Sequence, residues 1–319
     1  MSDISARMTP SVIDTQVLTG LQADQAGIAN LAEILSTGNK VNKPSDNPIA
    51  AVQTLSLQAT LARSQQYQAN ASDGMSRLQL TNSTLNSVLS QMQKIRQLVI
   101  SAANSVTTAN GLGPVASEVA QLEQGLVSLA NTTFGNEPLF GGATGSATAY
   151  AVTVPQNGTG GTAQYLGAGS APSRTVGPGS SVPAGVANPF NGTASPNTGT
   201  AGPTAGTVDV FGVLNQLVRD LQNGNAGAAT GTDATQLDQA ISQVTNVAGQ
   251  AGAYYAQMDT LSQQAASTTQ EVQMQFSNVQ SADLAKVSSD FAQAQTTYQG
   301  ALYAAAQVTK LPSLVSFLS

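Results

Sequence analysis

The sequence predicts a mainly α fold. A long antiparallel helical rod or coiled coil is formed by the N- and C-terminal segments, with a small Pro/Gly-rich β/loop insertion in the middle. Three observations predict it. Apolar residues repeat at seven-residue spacing in both flanks. Proline is absent from 49 to 113 and from 204 to 311. The stretch between carries Pro155, Pro172, Pro178, Pro183, Pro189, Pro196 and Pro203, and residues 138–208 contain no Asp or Glu and only Arg174 as a basic residue.

Taken in order, the first helix shows Leu21, Ile28 and Leu35 seven apart, with Val17 and Leu31 beside them. Thr37-Gly38 supplies a stop, because glycine takes the left-handed conformation in which helices often end. A polar loop follows to Asn47. Pro48 suits the first position of the next helix, with Ser45, Asp46 or Asn47 as its cap. That helix runs to about residue 103. Its seam is Leu78, Leu85, Met92 and Val99, with Thr81, Val88, Ile95 and Ala102 three residues later. Gly74 interrupts it at a cost of about 1 kcal/mol relative to Ala. A further helix is expected over 114–132, through Val115, Val119, Leu122, Leu126 and Leu129.

In the middle, Gly and Pro favour turns and exclude long helices. Residues 150–154, YAVTV, form the best strand there. Helices then return. Val213, Leu217 and Leu221 share one face of a short helix, and one long helix is expected from about 233 to 310, where Pro312 ends it. Leu284, Phe291, Tyr298 and Ala305 repeat every seven residues, with Val287, Ala294, Ala301 and Val308 as companions. Helices of this length need a partner for their apolar seams, so the chain is expected to fold back with its two end helices side by side. Pairing segments so far apart is entropically costly, and the end helices are expected to order against neighbours. Five segments follow: 1–47, 48–137, 138–207, 208–281 and 282–319.

Composition narrows the chemistry. Of 319 residues, none is Cys or His. A disulfide framework, a thiolate metal site, a Ser-His-Asp triad and a histidine-bound zinc are excluded. Charged residues are 9%, against about 25% in typical domains, which suits a subunit built to assemble. With aromatics at 4%, an aliphatic core is expected. The net charge of −6 without a basic stripe points away from nucleic acid. No apolar run approaches a membrane span, and residues 1–10 lack the apolar core of a secretory signal. The glycines at 158–161 and at 111–113 lack the spacing and the Lys-Ser/Thr of a phosphate loop and read as turns. Tyr254-Tyr255 reads as packing, and Asp283 as a helix-surface charge. No catalytic, cofactor-binding or metal-ligating residue is singled out. No cofactor and no enzymatic activity are expected.

Residues 35–51, LSTGNKVNKPSDNPIAA, resemble the loop between the first two helices of flagellins and flagellar hook-associated proteins. Residues 70–75 (NASDGM) and 93–99 (QKIRQLV) resemble the next helix of that family. Residues 131–142, NTTFGNEPLFGG, resemble the turn into its outer domain, and SAD at 281–283 with AQAQ at 292–295 its C-terminal helix. Residues 144–208 are unmatched. The 44–48 stretch PSDNP and the C-terminal KLPSLVSFL resemble the branch that joins hook to filament, whereas 93–99 is closer to filament flagellins. The branch that joins hook to filament is the expected one, with filament flagellin as the alternative and a secreted helical adhesin or tip protein as a third reading.

The resemblance implies an extracellular structural subunit, exported unfolded through the flagellar type III apparatus without a cleaved signal peptide. It implies self-association into a ring, contacts with neighbouring hook-associated and flagellin subunits, and an export chaperone, with neither nucleic acid nor membrane insertion. The implied subunit interface is Val17, Leu21, Ile28, Leu31, Leu35, Leu284, Val287, Phe291, Tyr298 and Val308. The implied inter-domain loop carries Gly38, Lys40, Asn42, Pro44, Asp46 and Pro48. Asn47 replaces the family's usual second Asp, and Lys40 stands where flagellins often have Arg, so a bidentate contact is lost there.

Overall fold

The computed structural model describes residues 10–104, 109–142, 147–153, 162–191, 193–194 and 208–308. Two compact units divide the chain: residues 1–62 with 269–319, and residues 63–268. Both boundaries fall inside helices, since α2 spans Pro48–Asn104 and α6 spans Ala234–Gln280.

The first unit holds α1 (Pro10–Thr37), the head of α2, the tail of α6 and α7 (Leu284–Val308). Asn47 caps α2, its side-chain oxygen accepting from the Ala50 amide at 3.0 Å. The helix expected to be continuous from 233 to 310 is broken after Gln280. Asp283 caps α7 instead, accepting from the amides of Ala285 and Lys286 at 3.1 and 3.2 Å. It is therefore a cap rather than a free surface charge. The break is paired as well: Asn39 and Ser281 form an antiparallel bridge, and the Ala282 amide donates to the Gly38 carbonyl at 2.8 Å. Backbone groups freed by ending two helices satisfy one another.

The second unit is a helical bundle carrying the middle segment. Residues 78, 85, 92 and 99, with 88, 95 and 102, are each 1% exposed or less. This seam is intramolecular core, as amphipathic stripes usually are. Helix α2 runs antiparallel to α6. Ser64 donates to the Ala265 carbonyl at 2.8 Å, Gly74 leaves room for Met258, and Arg96 pairs with Asp238. Helix α3 (Ala109–Ala130) starts before the expected 114, so Pro114 lies inside it and forgoes one backbone bond near the helix start. The 111–113 glycines belong to this helix, with Leu112 buried in the core. Helix α4 (Val210–Gln222) packs on α3 and buries Val213, Leu217 and Leu221, with Phe211, Leu214 and Val218. A three-residue α5 (Ala226–Ala228) and a π-turn (Ala229–Asp233) lead into α6.

The middle segment builds three small sheets. Strands β1 (Thr133–Phe134) and β2 (Glu137–Pro138) form a hairpin. Strand β3 (Tyr150–Thr153), on the expected YAVTV stretch, pairs antiparallel with β4 (Thr162–Tyr165), which pairs parallel with β7 (Thr193–Ala194). Strands β5 (Ser173–Gly177) and β6 (Ser180–Pro183) form a second hairpin. The Arg174–Asp73 ion pair at 2.7 Å and the bond from Asn70 to the Thr175 carbonyl at 2.7 Å fasten this hairpin to α2.

The core is largely aliphatic, as expected, and departs from that in one place. Phe140, Tyr150, Tyr165, Phe190 and Phe211 gather in one buried cluster, with ring centroids 5.2–5.5 Å apart. Few aromatics serve this core well because they are concentrated where short strands offer little aliphatic surface. The glycines at 158–161 lie outside the described residues.

Candidate assembly interface

Helices α1 and α7 lie against each other in the first unit. Positions 17, 21, 24, 28, 31 and 35 of α1 are half-buried and spaced four and three in alternation, with Glu33 and Ile34 half-covered beside them. Those of α7 are 287, 291, 294, 298, 301 and 305, spaced the same way. These are the a and d positions of a two-stranded coiled coil.

Of the expected interface residues, Val17, Leu21, Ile28, Leu31, Leu35, Val287, Phe291 and Tyr298 are thus brought together within one chain, each half-buried. Leu284 is not: it is 49% exposed, because the break at 281–283 makes it the first residue of α7 and the seam starts a turn later. Val308 ends α7, and its side chain lies outside the described residues.

Sequence reading missed Asp24. It occupies a seam position where the pattern calls for an apolar residue, between Leu21 and Ile28. Opposite it the seam is small: Ala294, Ala301, Ala304 and Ala305 on α7, with Gly20 and Gly27 on α1. Two cavities result, of about 250 and 430 Å3, and Asp24 lines both. The first is walled by Val17, Leu21 and alanines; the second adds Asp290, Gln293 and Thr297. Strict four–three spacing through residue 24 was the available signal.

The 38–47 loop is a built turn. Gly38 has φ +71°, a conformation only glycine takes without strain. The Asp46 carboxylate accepts from the amides of Asn42 and Lys43 at 3.2 and 2.8 Å, and Asn42 donates to the Asn39 carbonyl at 3.3 Å. The Lys43 ammonium sits 2.8 Å from Glu33, whose hydrogen bond and charge raise the lysine pKa above its ordinary value. Lys40 reaches the α6 end through its amide to the Gln280 carbonyl at 2.7 Å and its ammonium to the Asn278 carbonyl at 3.4 Å. Pro44 and Pro48 are exposed.

Larger apolar residues are bare elsewhere in this unit. Ile49, Val52 and Leu55 on α2 are 80, 68 and 64% exposed, and Tyr303 on α7 is 78% exposed. Nothing in the sequence marked Ile49, Val52 and Leu55, since three-residue spacing at a helix start looks the same whether buried or not. Tyr254 is half-buried and accepts from Gln250 at 2.8 Å, while Tyr255 is exposed. Among the described residues no helix is long and apolar enough to cross a membrane.

The two end helices pair with each other, and the break between α6 and α7 is bridged to the end of α1, which defines a protein whose two terminal segments fold together into one helical unit. The chain belongs to the bacterial flagellin family: the model of the bacterial flagellin N-terminal helical region matches residues 11–144, and that of the C-terminal helical region matches 234–318. Within it, the chain is similar to flagellar hook-associated protein 3 of Salmonella typhimurium and of Escherichia coli, 29 and 30% identical over 130 residues. The match spans 41% of this chain and 41% of each relative's length. A flagellin of Salmonella rubislaw is 28% identical over 115 residues, 34% of this chain and 23% of that one. Two solved structures share the fold. One is a Vibrio parahaemolyticus protein described as flagellar hook-associated (TM-score 0.61, 17% identity, 74% of this chain and 100% of that one). The other is FlgL of Bacillus cereus (TM-score 0.53, 21% identity, 70% and 99%).

Proposed function

We propose that this chain is a structural subunit of the bacterial flagellum, a hook-associated protein forming the junction between hook and filament. The observation that carries the reading is the relatives' order: hook-associated protein 3 matches over a longer stretch, and a larger share of its own length, than flagellin does. The composition agrees, with no Cys or His for chemistry. The subunit is a structural protein rather than an enzyme.

In this reading residues 1–47 and 282–319 are the two halves of an inner coiled coil. Residues 48–137 and 208–281 form a helical rod, and 138–207 an outer insertion. The seam residues Val17, Leu21, Ile28, Leu31, Leu35, Val287, Phe291, Tyr298 and Val308, with Leu284 at the edge, belong to the surface through which copies associate into a ring. The 38–48 loop is the connection between layers. The chain leaves the cell through the flagellar type III apparatus, with a chaperone before export, and meets hook-associated and flagellin neighbours outside.

The test is gold-labelled antibody on intact flagella under the electron microscope. A single short band between hook and filament is expected. Label along the whole filament would make the chain a filament flagellin instead, the second reading that the 28% match supports. Absence of label from all flagella would overturn both.

A further inference from the structure

Two acidic side chains meet where α4 leads into α6. Asp233 ends the π-turn and is 2% exposed, and its Oδ2 atom is sealed from solvent with no hydrogen-bond partner. It faces Asp220 of α4, and the two carboxyl groups hydrogen-bond to each other. A bond between two carboxyl groups requires a proton on one of them. Asp220 already has amide donors: Gln216 Nε2 donates to its Oδ2 at 2.7 Å, and Asn225 Nδ2 to its Oδ1 at 3.1 Å. Such donors favour the ionised form. The proton therefore resides on Asp233, whose O–H donates to Asp220.

The charged groups around the pair do little to relieve it. On α4, Arg219 donates to Gln216 Oε1 at 2.6 Å, and its charge only weakly opposes the effect of Asp220 on Asp233. Helix α5 carries no charge. On α6, Asp238 is paired with Arg96 of α2. On α3, Glu118 is paired with Lys94 of α2, and Glu123 is itself buried without a donor. Burial first, and then Asp220, push the Asp233 pKa up to about 6.

The segment that carries Asp233 is built to respond. Ala229 and Ala234 keep a right-handed helical backbone at both ends of the π-turn. Helix α5, the π-turn and α6 therefore run on as one helix with a bulge in its first turns. Bulges of this kind are frequent at functional positions. From 223 to 234 the buried residues are Ala229 and Asp233 alone. One methyl group supplies little apolar stabilisation, so the carboxyl contact decides whether the segment stays closed. Segments with so few buried contacts open well before the whole fold does.

We propose that Asp220 and Asp233 form a proton-dependent latch, which holds the bulge at the head of α6 against α4 while the pair keeps its proton and releases it when the proton passes to solvent. Two anions are then left in contact, one of them buried without a donor, and opening is the way to rehydrate it. Because the folded pKa is raised, the latch is fully closed below the ordinary Asp value near 4 and is lost as pH rises through about 6. It holds whichever flagellar role the chain has.

Hydrogen–deuterium exchange of the full-length chain tests it, read by mass spectrometry on peptides covering 223–234 and expressed as protection relative to the unstructured rate at each pH. In the wild type, protection of this segment is expected to fall about tenfold from pH 5 to pH 8. Asp233→Asn keeps the shape and a donor to Asp220 but cannot ionise, so its protection should stay level across that range. Asp220→Asn removes the like charge and should leave a smaller fall than in the wild type. Glu123→Gln removes the other buried carboxyl and should keep the fall. Equal wild-type protection at pH 5 and pH 8 would overturn the latch. So would a fall that survives Asp233→Asn, or one that disappears in Glu123→Gln, which would assign the effect to Glu123. A fall unchanged in Asp220→Asn would show that burial acts without the pair and overturn it as well. Should Asp233→Asn fail to fold, the wild type and the other two variants still decide.

Discussion

The Asn131 side chain treats Tyr150 as a neighbouring strand would. Its oxygen accepts from the Tyr150 amide at 2.8 Å, and its nitrogen donates to the Tyr150 carbonyl at 2.8 Å. The same oxygen also accepts from the Ala149 amide at 3.0 Å. One side chain at the end of α3 thereby starts β3 and sets Tyr150 into the aromatic cluster.

Replacing it tests that role. Asn131→Ala leaves the amides of residues 149 and 150 without partners where water is excluded. A stability loss of about 2–4 kcal/mol is expected by urea unfolding, with a weakened near-UV signal from the Tyr150 cluster. Asn131→Asp keeps the acceptor and loses the donor, so it should fall between Ala and wild type.

Arg77 is a buried cation on α2, 1% exposed. It donates to the carbonyls of Pro138 and Leu139 at 3.2 Å each, meets Glu137 at 3.4 Å and lies over the Phe134 ring. Burial lowers its pKa, and Glu137 partly offsets that. Arg77→Ala should cost about 3–5 kcal/mol by empty volume and orphaned carbonyls. Glu137→Gln should cost under about 1 kcal/mol, because that carboxylate is largely exposed. Equal losses from the two would show that the ion pair, not the carbonyl contacts, holds the β1–β2 hairpin.

Glu123 is fully buried, and neither carboxylate oxygen has a hydrogen-bond partner. Burial pushes its pKa up to about 8, with the Arg219 charge pulling the other way. A raised folded pKa means the native state holds the proton more tightly than the unfolded chain. Its contribution is full below the unfolded value near pH 4 and is lost as pH rises through about 8. Glu123→Gln should therefore unfold later than wild type at pH 8–9, by about 2–4 kcal/mol, and the gap should close by pH 5. Thermal melts across that range decide it.

Asp24 weakens the α1–α7 seam by placing a carboxylate where the pattern calls for an apolar side chain. Asp24→Leu should strengthen pairing by about 1–2 kcal/mol through added burial, read as slower chymotrypsin cleavage of α1 and α7. Unchanged cleavage would mean the seam is not what limits their opening.

Deleting residues 1–35 or 281–319 removes the coiled coil and spares the second unit's core. A soluble helical remnant with a cooperative melt is expected, absent from flagella in a strain lacking the full chain. Normal incorporation of either truncation would remove the end helices from any role in assembly.

Periodicity alone determined the helices. The seven-residue seam from Leu78 to Val99 and the Leu21–Leu35 and Phe291–Tyr298 repeats were readable because a helix returns a residue to the same face every two turns, whatever surrounds it. Proline spacing likewise marked the middle segment, since a missing amide acts locally. The Asp283 cap was present in the sequence, yet the apolar repeat on both sides outweighed it, and only the bridge from Asn39 to Ser281 shows why the helix stops there. Tertiary structure decided what lies at a distance: Arg77 under the β1–β2 hairpin, five aromatics drawn from residues 140–211 into one cluster, Asp24 between two alanine-lined cavities. It also decided that Ile49, Val52 and Leu55 stay bare. Exposure depends on what other segments leave uncovered, and no residue carries that in its own spacing.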